Sequence, residues 1–147
     1  MGFETFVHDV RPRLARAFLA AYGVERGQEA LAEALAYAWE HYGELRQMEN
    51  AAGYLYRVGQ SRSRARRHAP MLLPAPIDIG LPDVEPGLPR ALSALTERQR
   101  VCVVLVHAYG WTHQEVADVV GLRRSSVQNH VERGLGRLRA AIGASHG

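Results

Sequence analysis

The sequence predicts an all-α protein built as two small helical domains joined by a proline-rich linker. Apolar residues recur at steps of three and four on both sides of the middle of the 147-residue chain, and nowhere alternate as a half-buried strand requires. Six of the seven prolines fall between Pro70 and Pro89, in APMLLPAPIDIGLPDVEPGLP, which has no helical period and which no helix can cross. In the last third, two Thr-x-x-Gln/Glu pairs mark helix starts. These features divide the chain into a helical domain over residues 1–68, a linker over 69–89 and a second helical domain over 90–147. The linker would reach at most ~65 Å if fully polyproline-like.

Composition narrows the class further. Hydrophobic residues make up 47%, enough for a packed core. The longest apolar runs, 17–22 and 101–106, fall far short of the ~18–20 residues that a bilayer needs. The start, Met-Gly-Phe-Glu-Thr, has neither the basic beginning nor the apolar stretch of a signal peptide, so a cytoplasmic location without membrane contact is expected. Cys102 is the single cysteine, which excludes a disulfide framework; set among valines, it reads as a small buried hydrophobe. His107, His113 and His130 have no metal-ligand spacing and no cysteine or acid cluster beside them. No metal, cofactor or catalytic residue is expected, and the chain is not read as an enzyme.

The N-terminal domain predicts helices over residues 3–22, 27–41 and 51–68, with 43–50 as a loop. In the C-terminal domain, Thr96 and Gln99 open a helix running to about residue 108, and Gly110 stops it. Thr112 and Glu115 open a second helix, which ends at Gly121, a residue suited to a left-handed turn. A last helix begins near Ser125. Val127, Val131, Leu135, Leu138 and Ile142 form its buried stripe. Short helix, glycine turn and longer helix make a helix-turn-helix. Val116, Val120, Leu122 and Val127 are its expected core, and Ala117 is small where the helices cross.

Charge points to a polyanionic partner. All 18 basic side chains are arginine; a GC-rich genome would give the same usage. Formal charge runs −3 over residues 1–49, +5 over 50–77, −3 over 78–122 and +4 over 123–147. Two separated basic stretches suit two contacts along one polyanion, although a charge run is also what a solvated face looks like. At about 100° per residue, Ser126, Asn129, His130, Arg133 and Arg137 lie opposite the apolar stripe of the last helix. Asparagine pairs bidentately with adenine and arginine with guanine in a major groove. Arg123 and Arg124 at the turn suit phosphates. Arg123 stands where a serine or threonine would cap the helix better. The full candidate set here is Arg123, Arg124, Ser125, Ser126, Gln128, Asn129, His130, Arg133 and Arg137.

The stretch LTERQRVCVVLVHAYGWTHQEVADVVGLRRSSVQNHVERGLGRLRAAI (95–142) resembles the minus-thirty-five-reading domain of extracytoplasmic-function (ECF) sigma factors. ALAYAW (34–39) followed by GYLYRVGQSRSRARR (53–67) resembles the domain of the same family that reads and melts the minus-ten element. The resemblance implies promoter DNA and core RNA polymerase as partners, with an anti-sigma factor as a further candidate. It places minus-ten contacts at Tyr54, Tyr56, Arg57, Gln60, Ser61, Arg62, Arg64, Arg66 and Arg67. Arginines beside aromatics also suit an unstacked single strand in their own right. Core packing is the alternative for Tyr54 and Tyr56, and the preferred reading for Trp39. The family's acidic polymerase-binding run is thin here: RGQEALAE (26–33) keeps acids only at Glu29 and Glu33, the implied polymerase contacts. Val58, Gly59, Gln60 and Ser61 replace the usual I-A-R-N.

The leading expectation is a sigma factor that binds core RNA polymerase and directs promoter-specific initiation. One rival is a LuxR-type regulator, whose DNA-binding domain shares the pattern of Ser126 to His130. The other is a sigma-like adaptor that binds polymerase without initiating.

Overall fold

The computed structural model of the chain describes residues 2–65, 77 and 87–146, and every regular element among them is helical. Four helices come from the N-terminal half: α1 (Phe3–Tyr22), α2 (Val24–Glu40), α3 (Tyr42–Leu45) and α4 (Ala51–Ala65). Four come from the C-terminal half: α5 (Leu88–Ser93), α6 (Glu97–Val103), α7 (His113–Val120) and α8 (Arg124–His146). A π-helical turn, Val104–Ala108, extends α6.

α1 buries Val10, Leu14, Ala17, Phe18 and Ala21, which share one face at helical spacing. α2 answers with Ala30, Ala34 and Ala38, side chains small enough for close approach. Only Gly23 separates the two helices, with φ 84° and ψ −176°. That conformation is open essentially to glycine alone, so the chain reverses in one residue. α2 therefore begins three residues earlier than its apolar pattern predicts. α4 crosses α1 and α2 at Gly59, where an added Cβ would lie 2.3 Å from Phe18 Cζ and 2.8 Å from Ala30 O. Asn50 starts α4 by accepting the Gly53 N–H through Oδ1 at 3.0 Å. The stretch predicted as a loop over 43–50 begins instead with α3, pinned by fully buried Leu45.

Both predicted capping boxes form. The Thr96 hydroxyl accepts from Gln99 N–H at 3.1 Å, and Gln99 Oε1 accepts from Thr96 N–H at 3.2 Å. Thr112 and Glu115 repeat the exchange at 3.1 and 3.0 Å. Both N–H groups donating to Glu115 and Thr112 would otherwise be orphaned at a helix start. Gly121 ends α7 at φ 72° and ψ 36°, the left-handed turn expected of it. Val127 and Val131 of α8 are buried, and Gly134 admits Val103 of α6, whose Cγ2 would be 2.6 Å from an added Cβ. α5 starts inside the stretch predicted as linker, with Pro89 in its first turn, where no N–H is needed. Linker residues 69–76 and 78–86 lie outside the described residues, as do Arg66 and Arg67.

The two halves, expected to be separate folding units, are packed on each other. α1 lies against α6 and the π turn, and α4 lies against α7. Arg100 of α6 is only 5% exposed. Its Nε and Nη2 donate to Ala21 O at 2.9 and 2.6 Å, and its Nη1 donates to Leu95 O at 3.2 Å. Gln60 donates to the Glu97 carboxylate at 2.7 Å, and Asn50 donates through Nδ2 to Asp118 O at 2.5 Å. These polar bonds flank a buried apolar cluster that runs through both halves, from Leu14 and Phe18 to Val101, Leu105 and Val116, and a hydropathy pattern does not show which apolar faces will meet.

Gly59→Ala is expected to cost about 1–3 kcal/mol despite alanine's better helix propensity, because Phe18 has no room to give. Urea denaturation checks it; a stability equal to wild type would show that the α1–α4 crossing is looser than drawn.

Candidate nucleic-acid interface

Burial divides α8 cleanly. Val127 and Val131 face inward, and Leu135 and Leu138 are partly covered. Arg123, Arg124, Ser125, Gln128, Asn129, Arg133 and Arg137 are exposed, while Ser126 and His130 are half-buried. The helix starts without a serine or threonine cap; the Arg123 carbonyl accepts the Val127 N–H at 3.0 Å. Arg137 donates to Gln99 Oε1 at 3.2 Å, which ties the middle of α8 to the capping box of α6. Gln128 approaches Glu132, the acid of this face, at 3.5 Å.

His130 titrates below its ordinary range. Burial is the main cause, and the charges of Arg98 and Arg133 add to it. The ring is therefore neutral at pH 7 and offers one donor and one acceptor. Arg98 is a cation of this region that the sequence reading did not single out. It sits in α6 between Thr96 and Gln99, and only the fold carries it to α8.

The N-terminal candidates do not form one surface. Tyr56 is 1% exposed and stacks on Phe18 with ring centroids 5.0 Å apart. It is a core residue, and the expectation that it meets DNA is corrected: neither face is free for a base. Arg57 is exposed but lies against the turn, where a Cβ on Gly121 would be 2.8 Å from its Nη2. Arg57 and Gln60 join Glu97, Arg98 and Leu122 around a cleft of about 220 Å³ between the halves. Ser61 is exposed. Arg62 pairs with Glu33 at 3.1 Å and lies 5.5 Å over the Tyr37 ring. The side chain of Arg64, like Arg66 and Arg67, lies outside the described residues.

Tyr54 remains partly exposed, and its hydroxyl meets that of Tyr37 at 3.1 Å. Tyr37 also stacks on His41 at 3.9 Å. The Tyr54 hydrogen bond, first among several causes, raises the Tyr37 pKa. Tyr37 and His41 belong to this aromatic cluster and were missed, because nothing in α2 alone reveals that α4 passes beside them. Of the two acids assigned to polymerase, Glu29 is exposed and Glu33 is half-buried in its ion pair. Trp39, expected in the core, is 70% exposed and meets Phe3 edge-on at 5.1 Å. It follows Ala38, the last residue of α2's buried stripe, and is therefore turned about 100° away from it.

Cys102 is fully buried, and desolvation pushes its thiol up to about 12. Among the described residues no group of His, Cys, Asp and Glu could hold a metal ion, and no helix is long and apolar enough to cross a membrane.

Residues 87–138, which hold α5, α6, α7 and the first part of α8, match the family model "Sigma-70, region 4". The match covers the C-terminal third of the chain and reaches none of α1 to α4. The chain's whole length is similar in structure to the sigma factor RpoE of Bartonella quintana, solved in complex with the anti-sigma factor NepR. The TM-score is 0.63, the identity is 19%, and the match covers 96% of each chain. At that identity the likeness is one of fold, and it spans both halves of the chain. No curated protein matches the chain by sequence. Within the matched stretch the helix-turn-helix is α7, the Gly121 turn and the first part of α8.

Two outcomes follow for the α8 face. Arg133→Ala is expected to weaken DNA binding by about 1–3 kcal/mol and to relax base choice, whereas Arg124→Ala weakens all sequences alike. A binding titration in which neither variant changes would remove α8 as the reading helix. Separately, Arg98→Ala is expected to raise the His130 pKa, read by NMR titration. Because the folded His130 resists its proton, the unfolded chain takes it up first as pH falls below 6.5. Stability is unaffected by His130 above that pH and declines below it, down to the folded pKa. A wild-type His130 titrating at or above 6.5 would refute the assignment.

Proposed function

We propose that the chain is a sigma factor, which binds core RNA polymerase, sets α8 in the major groove of a minus-thirty-five element and directs promoter-specific initiation, acting in the cytoplasm. The observation that carries the reading is the exposed face of α8, within region 4, where arginines, Asn129 and Gln128 point outward and Glu132 is the acid among them. Arg133 and Asn129 are the proposed base readers; Arg123 and Arg124 hold phosphates. Ser125, Ser126, His130 and Arg137 complete the contact.

The minus-ten element falls to α4. Tyr54, Arg57, Gln60, Ser61, Arg62 and Arg64 are the proposed contacts, with Arg66 and Arg67 beyond the described helix. Polymerase is proposed to meet the outer face of α2, where Glu25, Glu29 and Glu40 flank Ala32, Ala36 and the exposed Trp39. An acidic rim around an aromatic anchor suits a basic surface. An anti-sigma protein is a further proposed partner. The roles assigned are those of binding, and no chemistry is assigned to the chain.

The test is co-purification with core RNA polymerase from the native host, followed by transcription in vitro on host DNA. Association and discrete transcripts are expected, and Glu29→Lys and Trp39→Ala should each reduce association at least several-fold. Binding without transcripts would favour a sigma-like adaptor, a reading that the engagement of Glu33 by Arg62 also suits. Sequence-specific DNA binding with no polymerase association would sink the assignment.

A further inference from the structure

We propose that the cleft between α4, α6 and the Gly121 turn is a binding site for a small phosphate compound, held by Arg57 and Arg98. The phosphate is either free or carried on a short carbon body. The two guanidiniums come to the cleft from different helices, Arg57 from α4 and Arg98 from α6. Each has an arginine neighbour on its own helix that is taken up internally. Arg62 is paired with Glu33, and Arg100 is bonded to the carbonyls of Ala21 and Leu95. Arg57 and Arg98 are exposed, and among the described residues neither makes a hydrogen bond or an ion pair. The carboxylate of the cleft, Glu97, accepts instead from Gln60 Nε2 at 2.7 Å.

Arg57 is a placed cation. Its guanidinium lies over the Gly121 turn, where an added Cβ would be 2.8 Å from Nη2, 2.9 Å from Nε and 3.3 Å from Cζ. Gly121 is therefore glycine for the cation it admits as well as for its φ of 72°. The charge of Arg98 reaches His130 on α8 and Cys102 on α6, so the cleft side of α6 is positive. With two arginines against Glu97, the lining keeps a net positive charge, and an anion between the guanidiniums relieves their repulsion. One guanidinium fork uses both oxygens of a carboxylate, whereas a phosphate has three terminal oxygens and can meet two forks at once. Val101, Val120 and Leu122 add an apolar wall suited to a few carbon atoms. The volume of about 220 Å³ is below the ~300–1,000 Å³ of most ligand pockets, which admits such a body and is too small for a nucleotide. A bound phosphate compound would take up Arg57 and Gln60 and so compete with promoter DNA. That consequence alone rests on the function proposed above, which places both residues at the minus-ten element.

The experiment titrates the full chain with inorganic phosphate and with glycerol phosphate, by calorimetry in dilute chloride buffer at neutral pH. Saturable binding of one equivalent is expected. Glycerol phosphate binding several-fold tighter would assign the site to a phosphomonoester, through the apolar wall; equal affinities would assign it to the free ion. Arg57→Ala and Arg98→Ala should each weaken binding at least tenfold with helicity unchanged by circular dichroism. Glu97→Gln should tighten it several-fold, a sign that a general loosening of the fold does not produce. Saturation should also raise the His130 pKa, read by NMR, because the anion offsets the charge of Arg98. In a second arm at constant ionic strength, glycerol phosphate should lower the affinity for single-stranded DNA in the wild type and not in Arg98→Ala. No saturable binding of either probe, or binding by both arginine variants equal to wild type, overturns the site. Binding that follows the variants while DNA affinity stays constant upholds the site and counts against the minus-ten role of Arg57 and Gln60.

Discussion

Phe18 sets the distances on which the N-terminal half depends. Its side chain is fully buried, its carbonyl lies where Gly27 of α2 passes, and its ring edge lies where Gly59 of α4 passes. One residue of α1 thus meets a glycine on both helices that cross it, through its backbone at Gly27 and through its ring at Gly59. Its stacking on Tyr56 carries the constraint onward, because Tyr56 also lines the cleft shared with Val101 and Leu122. The position of α4, and so of Arg57 and Gln60, is inherited from this contact. A larger residue at either glycine would shift the reading surface as well as the core.

The C-terminal half was largely legible from its sequence because its determinants are local. A capping box spans four residues and a left-handed glycine needs only itself, so Thr96, Thr112 and Gly121 each announced their role. The alternation of Val127 and Val131 with exposed arginines then oriented α8. The N-terminal half was legible in outline only. Trp39 looked like core by its chemistry, but its position on α2 turns it outward. Tyr56 looked like a stacking platform, yet its ring is spent inside. Arg100 carried no local sign that its partner lay 79 residues away. Glu33 and Arg62 were assigned to different partners, and the fold pairs them. In each case the deciding neighbour comes from another helix, which a one-dimensional pattern does not contain.

The electrostatic design of the two halves differs. On α8 the arginines stand beside one acid and remain available to an anion. On α4 they are engaged: Arg62 by Glu33 and Arg57 beside the Gly121 turn. The outer face of α8 is therefore less engaged by internal contacts than that of α4. The lowered pKa of His130 belongs to the same region, since burial disfavours its charged form and the charges of Arg98 and Arg133 add to that.

The Glu33–Arg62 pair has a thermodynamic consequence. It joins an acid that the sequence resemblance assigns to polymerase to a cation proposed to face the promoter, and the two are paired in the free chain. Whichever macromolecule arrives first must break the pair; the second finds its contact already released. By linkage the two affinities then rise together and by the same factor. A partly exposed ion pair is worth about 0–1 kcal/mol, so the coupling amounts to a factor of a few in either direction. That is enough to make assembly on polymerase sharpen the hold on DNA without any helix changing shape.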